Sequence, residues 1–181
     1  MGRPPPPERA KLRISTKSRA TLLALASILV LAFMATPASA YTVSKKTATT
    51  WMADYLKAWE TRDADAVEGL FTPDGIYQSI PGVSSETFVG RKAIHDYWFA
   101  VTREQSKIHG IQGKPIVEGN RAAIEIWVTF RDPEYNPKGN HMITLLETNV
   151  LTFVSGGLVA KNVEYWNIVP GVHKPPPGWG R

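Results

Sequence analysis

The chain has 181 residues, with 21 Lys and Arg against 16 Asp and Glu, a formal charge of +5 and no cysteine. Zero cysteines exclude a disulfide framework, so the fold must be held by its core. Six of the basic residues and one acidic residue precede Tyr41, which leaves fifteen of each sign from there on; a chain balanced in this way has no electrostatic footprint for nucleic acid or for an anionic membrane.

Residues 1–40 read as a secretory signal peptide. Arg3, Arg9, Lys11, Arg13, Lys17 and Arg19 form the basic region, residues 21–34 the apolar run, and Ala38-Ser39-Ala40 a small-residue cleavage site before Tyr41. The run is short of the roughly 20 apolar residues of a membrane span. The expected location is therefore secreted or extracytoplasmic, with no membrane contact after cleavage. An uncleaved N-terminal membrane anchor is the alternative. Residues 41–169 have the size of one domain, and residues 170–181 form a Pro-rich tail with polyproline character, expected on the surface or across a partner.

Trp51, Tyr55, Leu56 and Trp59 fall at i, i+4, i+5 and i+8, which predicts a helix with one aromatic stripe. Residues 61–63 interrupt it, and Asp63 can cap a second helix whose apolar face is Val67, Leu70 and Phe71. Pro73-Asp74-Gly75 is expected to turn into a strand over residues 75–80. A third helix is expected over residues 91–103, with Ile94, Tyr97, Trp98 and Val101 inward. Short strands over 106–111 and 114–118 follow, the second closed by a turn at Glu118-Gly119-Asn120. Residues 121–131 are the clearest strand. Ala122, Ile124, Ile126, Val128 and Phe130 share one face, while Trp127, Thr129 and the charged residues share the other. A long strand over 142–154 turns through Ser155-Gly156-Gly157 into another over 158–169. Helices first and a meander last give an α+β class, with helices covering one face of a curved sheet.

The runs YLKAWETRDADAVEGLFTPDGIYQS, FVGRKAIHDYW and NRAAIEIWVTF, and a long hairpin ending in VEYWN, resemble the SnoaL-like branch of the nuclear transport factor 2 superfamily. The resemblance spans nearly all of the chain after residue 50. It implies a cone-shaped, curved antiparallel sheet covered by three N-terminal helices. It also implies a deep pocket for a small apolar molecule between helices and sheet, and frequent homodimerisation through the outer sheet face. It does not imply one activity, because the fold hosts isomerases, dehydratases, epoxide hydrolases, cyclases and non-catalytic domains.

Several residues could carry acid/base chemistry. On the long strand, Glu147 and Asn149 share a face with Ile143, Leu145, Leu151 and Phe153; on the last strand, Asn162, Glu164 and Trp166 do so. An inward carboxylate would have its charged form disfavoured, which suits a general acid or base. The other reading pairs Glu147 and Glu164 with Arg121 or Arg131 across the sheet. By resemblance to ketosteroid isomerases, Tyr55 holds the place of an oxyanion-binding tyrosine and Asn149 lies near that of a protonated aspartate. The place of the base falls near Ser79, which cannot abstract a carbon-bound proton. Tyr55 as a core aromatic with a locally bonded hydroxyl is the other reading. By resemblance to scytalone dehydratases, Trp59, Glu60 and His109 form a further set, against a structural or exposed His109.

No metal is expected, since the four histidines show no ligand spacing, and no cofactor, since nucleotide and nucleophile motifs are missing. Two functions remain open. One is an exported small-molecule-binding domain that isomerises, dehydrates or hydrolyses its ligand. Its expected catalytic residues are Tyr55, Asn149, Glu164 and His109, and Trp59, Tyr97, Trp98, Ile126, Val128, Phe130, Glu147 and Trp166 are expected to line the pocket. The other is a non-catalytic ligand-binding or assembly domain with its pocket filled by Trp and Phe. Pocket volume separates them, because below about 100 Å³ there is no room for a drug-sized ligand.

Overall fold

The computed structural model describes residues 41–180, so the expected signal peptide lies outside the described residues. The first helix, α1 (Lys45–Thr61), starts earlier than its aromatic stripe, because the Ser44 side chain accepts from the Thr47 N–H and caps it. It ends where Arg62 turns into the left-handed region at φ 55°. Asp63 then caps α2 (Ala64–Gly69) by accepting from the Ala66 N–H at 2.9 Å.

The remaining elements are β1 (Phe71–Gln78), a 3-10 turn at Ser84–Glu86, β2 (Thr87–Val89), α3 (Arg91–Thr102), β3 (Ser106–Gln112), β4 (Ile116–Glu118), β5 (Arg121–Arg131), β6 (Met142–Phe153) and β7 (Val159–Pro170). One expected turn is corrected. Pro73, Asp74 and Gly75 lie inside β1, which begins at Phe71 and carries a register shift between Phe71 and Ile76. An irregular strand tolerates a proline where a regular central one does not.

The α+β class holds, but the expected cone-shaped, curved antiparallel sheet does not. The sheet is open and mixed, in the order β2-β1-β7-β6-β5-β3, with β4 also on β5. β7 pairs antiparallel with β6 and parallel with β1, where Tyr77 lies opposite Asn162. A tight hairpin sets β7 antiparallel to β6, and β1 lies parallel on the other edge of β7, with the intervening chain supplying the crossover that a parallel pair requires.

The three helices pack on one face of this sheet. The stripe on β5 is buried against them, with Ile124, Ile126 and Val128 each at 0 % exposure. Aromatic rings fill the layer between. Trp51 stacks on Tyr55 at 5.1 Å, and Trp59 meets Trp98 at 5.2 Å and Phe130 at 5.6 Å.

The tail returns to the opposite face of the same chain. Lys114 N–H donates to the Gly180 carbonyl at 2.8 Å, and Trp179 packs edge-on against Trp127 at 6.1 Å. Gly113 and Gly180 touch so closely that a Cβ on Gly113 would sit 2.9 Å from the Gly180 Cα. Trp127, expected on a dimer face, is thus partly covered by its own chain.

Phe130 bridges β5 and the helical aromatic layer, so Phe130→Ala should cost about 3–5 kcal/mol. Urea unfolding checks this; a loss under about 1 kcal/mol would mean that the layer repacks around the gap.

Candidate functional site

The inward polar residues of β6 and β7 form one connected array in the aromatic layer. Asn149 faces Glu164 directly across the β6–β7 ladder, and Glu147 faces Trp166. Glu164 accepts from the Tyr55 hydroxyl at 2.5 Å and the Tyr77 hydroxyl at 2.6 Å, one on each oxygen. Asn162 donates its amide both to Glu164 Oε1 at 3.1 Å and to Asn149 Oδ1 at 2.9 Å. Asn149 donates in turn to Glu147 Oε1 at 2.5 Å. Helix α1, strands β1, β6 and β7, and two carboxyls are thereby joined.

Glu147 and Glu164 influence each other's ionisation within the array, and burial shifts both toward the neutral form. Burial pushes Glu164 from its ordinary 4.5 up to about 7, while bonds from Tyr55, Tyr77, Asn162 and Glu147 hold it down. Burial and then the charge of Glu164 push Glu147 well above 4.5. Burial and the Glu164 charge also raise Tyr55 and Tyr77, which stay protonated donors.

The pair faces a cavity of about 40 Å³. Its walls are mainly rings, among them Trp59, Tyr77, Tyr97, Trp98, Phe130 and Trp166. Val101, Ile168 and the exposed Tyr135 form the more open side. The volume is below the drug-sized range and holds about three water-sized groups. The indole N–H of Trp98 is buried with no hydrogen-bond partner.

The residues singled out from the sequence are distributed as follows. Glu147, Glu164, Trp59, Tyr97, Trp98, Phe130 and Trp166 line the cavity. Tyr55 and Asn149, both 0 % exposed, stand behind it and reach it only through the carboxyls. Ile126 and Val128 lie deeper in the core and do not line it. His109 is elsewhere. Its side chain is 74 % exposed, 3.3 Å from Glu60, and it borders a groove with Trp127 on the outer face. Glu60 turns from the cavity to accept from the Gly110 N–H at 3.0 Å. Glu147 and Glu164 form no ion pair with Arg121 or Arg131 among the described residues.

Tyr77 was not singled out, yet it is the second phenol on Glu164. Its signal was its place two residues before Ser79, hence on the same strand face. Ser79 closes the strand end, where its hydroxyl donates to Glu86 at 2.6 Å and its carbonyl accepts from the Trp166 indole at 2.7 Å. Gln105, also unforeseen, accepts from the Trp59 indole at 2.8 Å and so fixes one wall of the cavity. No cluster of metal-ligating side chains occurs among the described residues, and no helix among them is long and apolar enough to cross a membrane.

The chain belongs to the SnoaL-like domain family, whose profile matches residues 52–162. Among solved structures it resembles the epoxide hydrolase/cyclase-like enzyme SalBIII, described for pyran ring formation in the polyether salinomycin. The identity is 16 %, the TM-score 0.57, and the match covers 68 % of this chain and 93 % of that one. It also resembles a hypothetical protein with a ketosteroid isomerase-like fold from Catenulispora acidiphila, solved with trimethylamine. There the identity is 19 %, the TM-score 0.53, and the coverage 64 % and 83 %. At these identities the likeness is one of fold. No curated protein matches the chain.

Two outcomes follow from the array. Both carboxyls bind protons more tightly folded than unfolded, so their contribution to stability is complete below about pH 4.5 and is lost as pH rises, for Glu164 through about 7. The melting temperature of the intact protein should therefore fall between about pH 5 and about pH 8, and fall less in the Glu147→Gln, Glu164→Gln double variant. Equal slopes in the two proteins would show that the pair is not the source. Tyr77→Phe removes a bond that favours ionised Glu164, so it should raise the Glu164 value further. Carbon-detected NMR titration of the Glu164 carboxyl reads this; a lowered value would contradict the array.

Proposed function

We propose that this protein is a small-molecule enzyme that works by acid/base chemistry without a cofactor. The observation that carries the reading is the Glu147–Glu164 carboxyl pair, buried together and turned to a ring-walled cavity. A pair holding one proton offers an acid and a base side by side. Glu164, brought to about 7, is poised to accept a proton near neutrality. The proton that the pair retains can be returned to the ligand. Tyr55 and Tyr77 hold Glu164 in place by donating to its two oxygens. Neighbouring carboxyls suit proton transfer between nearby atoms of one ligand, as in isomerisation, dehydration or opening of a strained oxygen ring. The fold's likeness to an epoxide hydrolase/cyclase-like enzyme agrees with the last of these.

The size of the cavity supports a second reading. At about 40 Å³ it takes only a small ligand or the end of a larger one. A binding or assembly domain whose rings fill their own pocket would look the same. Export with cleavage before Tyr41, and a homodimer through the outer sheet face beside Trp127 and Thr129, belong equally to both readings.

A panel of small epoxides and enolisable ketones separates the two, with ring opening and deuterium exchange followed by NMR. Turnover should rise with pH to half its maximum near 7 and drop at least about 100-fold in Glu164→Gln. Full turnover in that variant, or none for any member of the panel with the wild type, leaves the binding domain as the reading.

A further inference from the structure

The cavity has an unusual charge balance. It presents two carboxyls and, from its walls, no Lys, Arg or His. The other ionisable groups packed around the pair are phenols: Tyr55 from α1, Tyr77 from β1, Tyr97 from α3 and Tyr135 from the β5–β6 loop. The guanidinium of Arg62 donates to the Gln105 carbonyl at 3.2 Å, and the Gln105 amide in turn donates to another carboxylate, Asp132, at 3.3 Å. Without a cation, the pair can remain buried only by keeping a proton.

The rings around it are set as walls at steep angles. Trp98 meets Trp59 at 77° and Tyr97 at 88°, with centroids 5.2 and 6.1 Å apart. Aromatic walls attract a cation through the negative faces of their rings, most strongly where water is excluded. Carboxyl oxygens at the floor would take its N–H donors, and Glu147 has acceptor capacity left after its one bond from Asn149.

We infer that this cavity binds the ammonium head of a small organic amine, seated on the Glu147–Glu164 pair and walled by Trp59, Tyr97, Trp98 and Trp166. The inference rests on the reading of this cavity as the ligand site and names the class of ligand. Its size agrees, since a head of about three heavy atoms fills it, and the remainder of the molecule would leave past Tyr135 and Ile168. The charges balance as well. The cation enters, one proton of the pair leaves for solvent, and the net charge of the site is unchanged. Affinity must then rise with pH, because only the pair that has released that proton is competent to bind.

The test uses ethylammonium chloride and ethanol, matched in heavy atoms, on the intact protein at constant chloride. The indole N–H signals of Trp59 and Trp98 are followed by NMR. Ethylammonium should shift them saturably, about tenfold more tightly at about pH 8 than at about pH 6. Glu164→Gln, checked for native signal dispersion, should weaken it at least about tenfold, and ethanol should bind more weakly than ethylammonium. The pH dependence is read on the wild type, so the result does not hang on the variant folding. Ethanol binding as tightly as ethylammonium, or an ammonium affinity independent of pH, overturns the inference and leaves the cavity a ligand site. No saturable shift with either probe overturns the inference and the ligand-site reading together.

Discussion

The anchoring of Glu164 by two phenols is the constraint from which the rest of this structure follows. Tyr55 comes from the first helix and Tyr77 from the first strand, yet they meet on a carboxyl of the last strand. A buried carboxyl is costly unless every lone pair is met and a proton or counter-charge is at hand. Satisfying this one therefore dictates which way α1 faces, where β1 sits along β7, and which residues fill the remaining positions. Asn162 and Asn149 extend the same set of bonds to Glu147, so β6 is tied to it as well. Replacing the whole array with well-fitted apolar side chains could leave a stable protein, whereas deleting one member strands the others. An arrangement so exposed to single losses is hard to account for by stability alone, and this is the physical case for a site.

The rings explain why the site is small. Trp59, Trp98, Tyr97 and Trp166 each have a fixed neighbour or bond that prevents collapse onto the carboxyls. Trp59 is tethered to Gln105 and Trp166 to the Ser79 carbonyl. Tyr97 packs against Phe88 at 4.3 Å. Rigid walls held from behind leave a cavity set by the outlines of the rings rather than by loop movement. Such a cavity discriminates by size and charge more readily than it adapts.

Much of this was legible in the chain. Alternation on β6 and β7 put Glu147, Asn149, Asn162 and Glu164 on one side, and the apolar stripe of β5 identified that side as the core. Helical spacing likewise placed Tyr55, Trp59, Tyr97 and Trp98 toward the sheet. What could not be read was the outcome of non-local pairing. Pro73-Asp74-Gly75 has the composition of a turn, and only the neighbours of β1 show that it continues as an irregular strand. Tyr77 lies within the expected strand, but its relation to Glu164 comes only from the non-local pairing of β1 with β7. That parallel pairing has no local signature, so nothing in the chain marks the departure from the curved antiparallel sheet that the resemblance implies. The mutual influence of the carboxyls depends on distances across a ladder, where period-two patterns specify a face and nothing more.

That parallel pairing has a consequence for how the molecule comes into being. β7 is the last strand made, yet it occupies an interior place between β1 and β6 and carries Asn162, Glu164 and Trp166. During synthesis, Tyr55 and Tyr77 emerge long before the carboxyl they bind, and β1 has only the three-residue β2 beside it. The first half of the domain is thus a half-built layer whose apolar side stays uncommitted until about the whole chain is available. The array around Glu164 therefore cannot close before β7 is in place, whatever order the other elements follow.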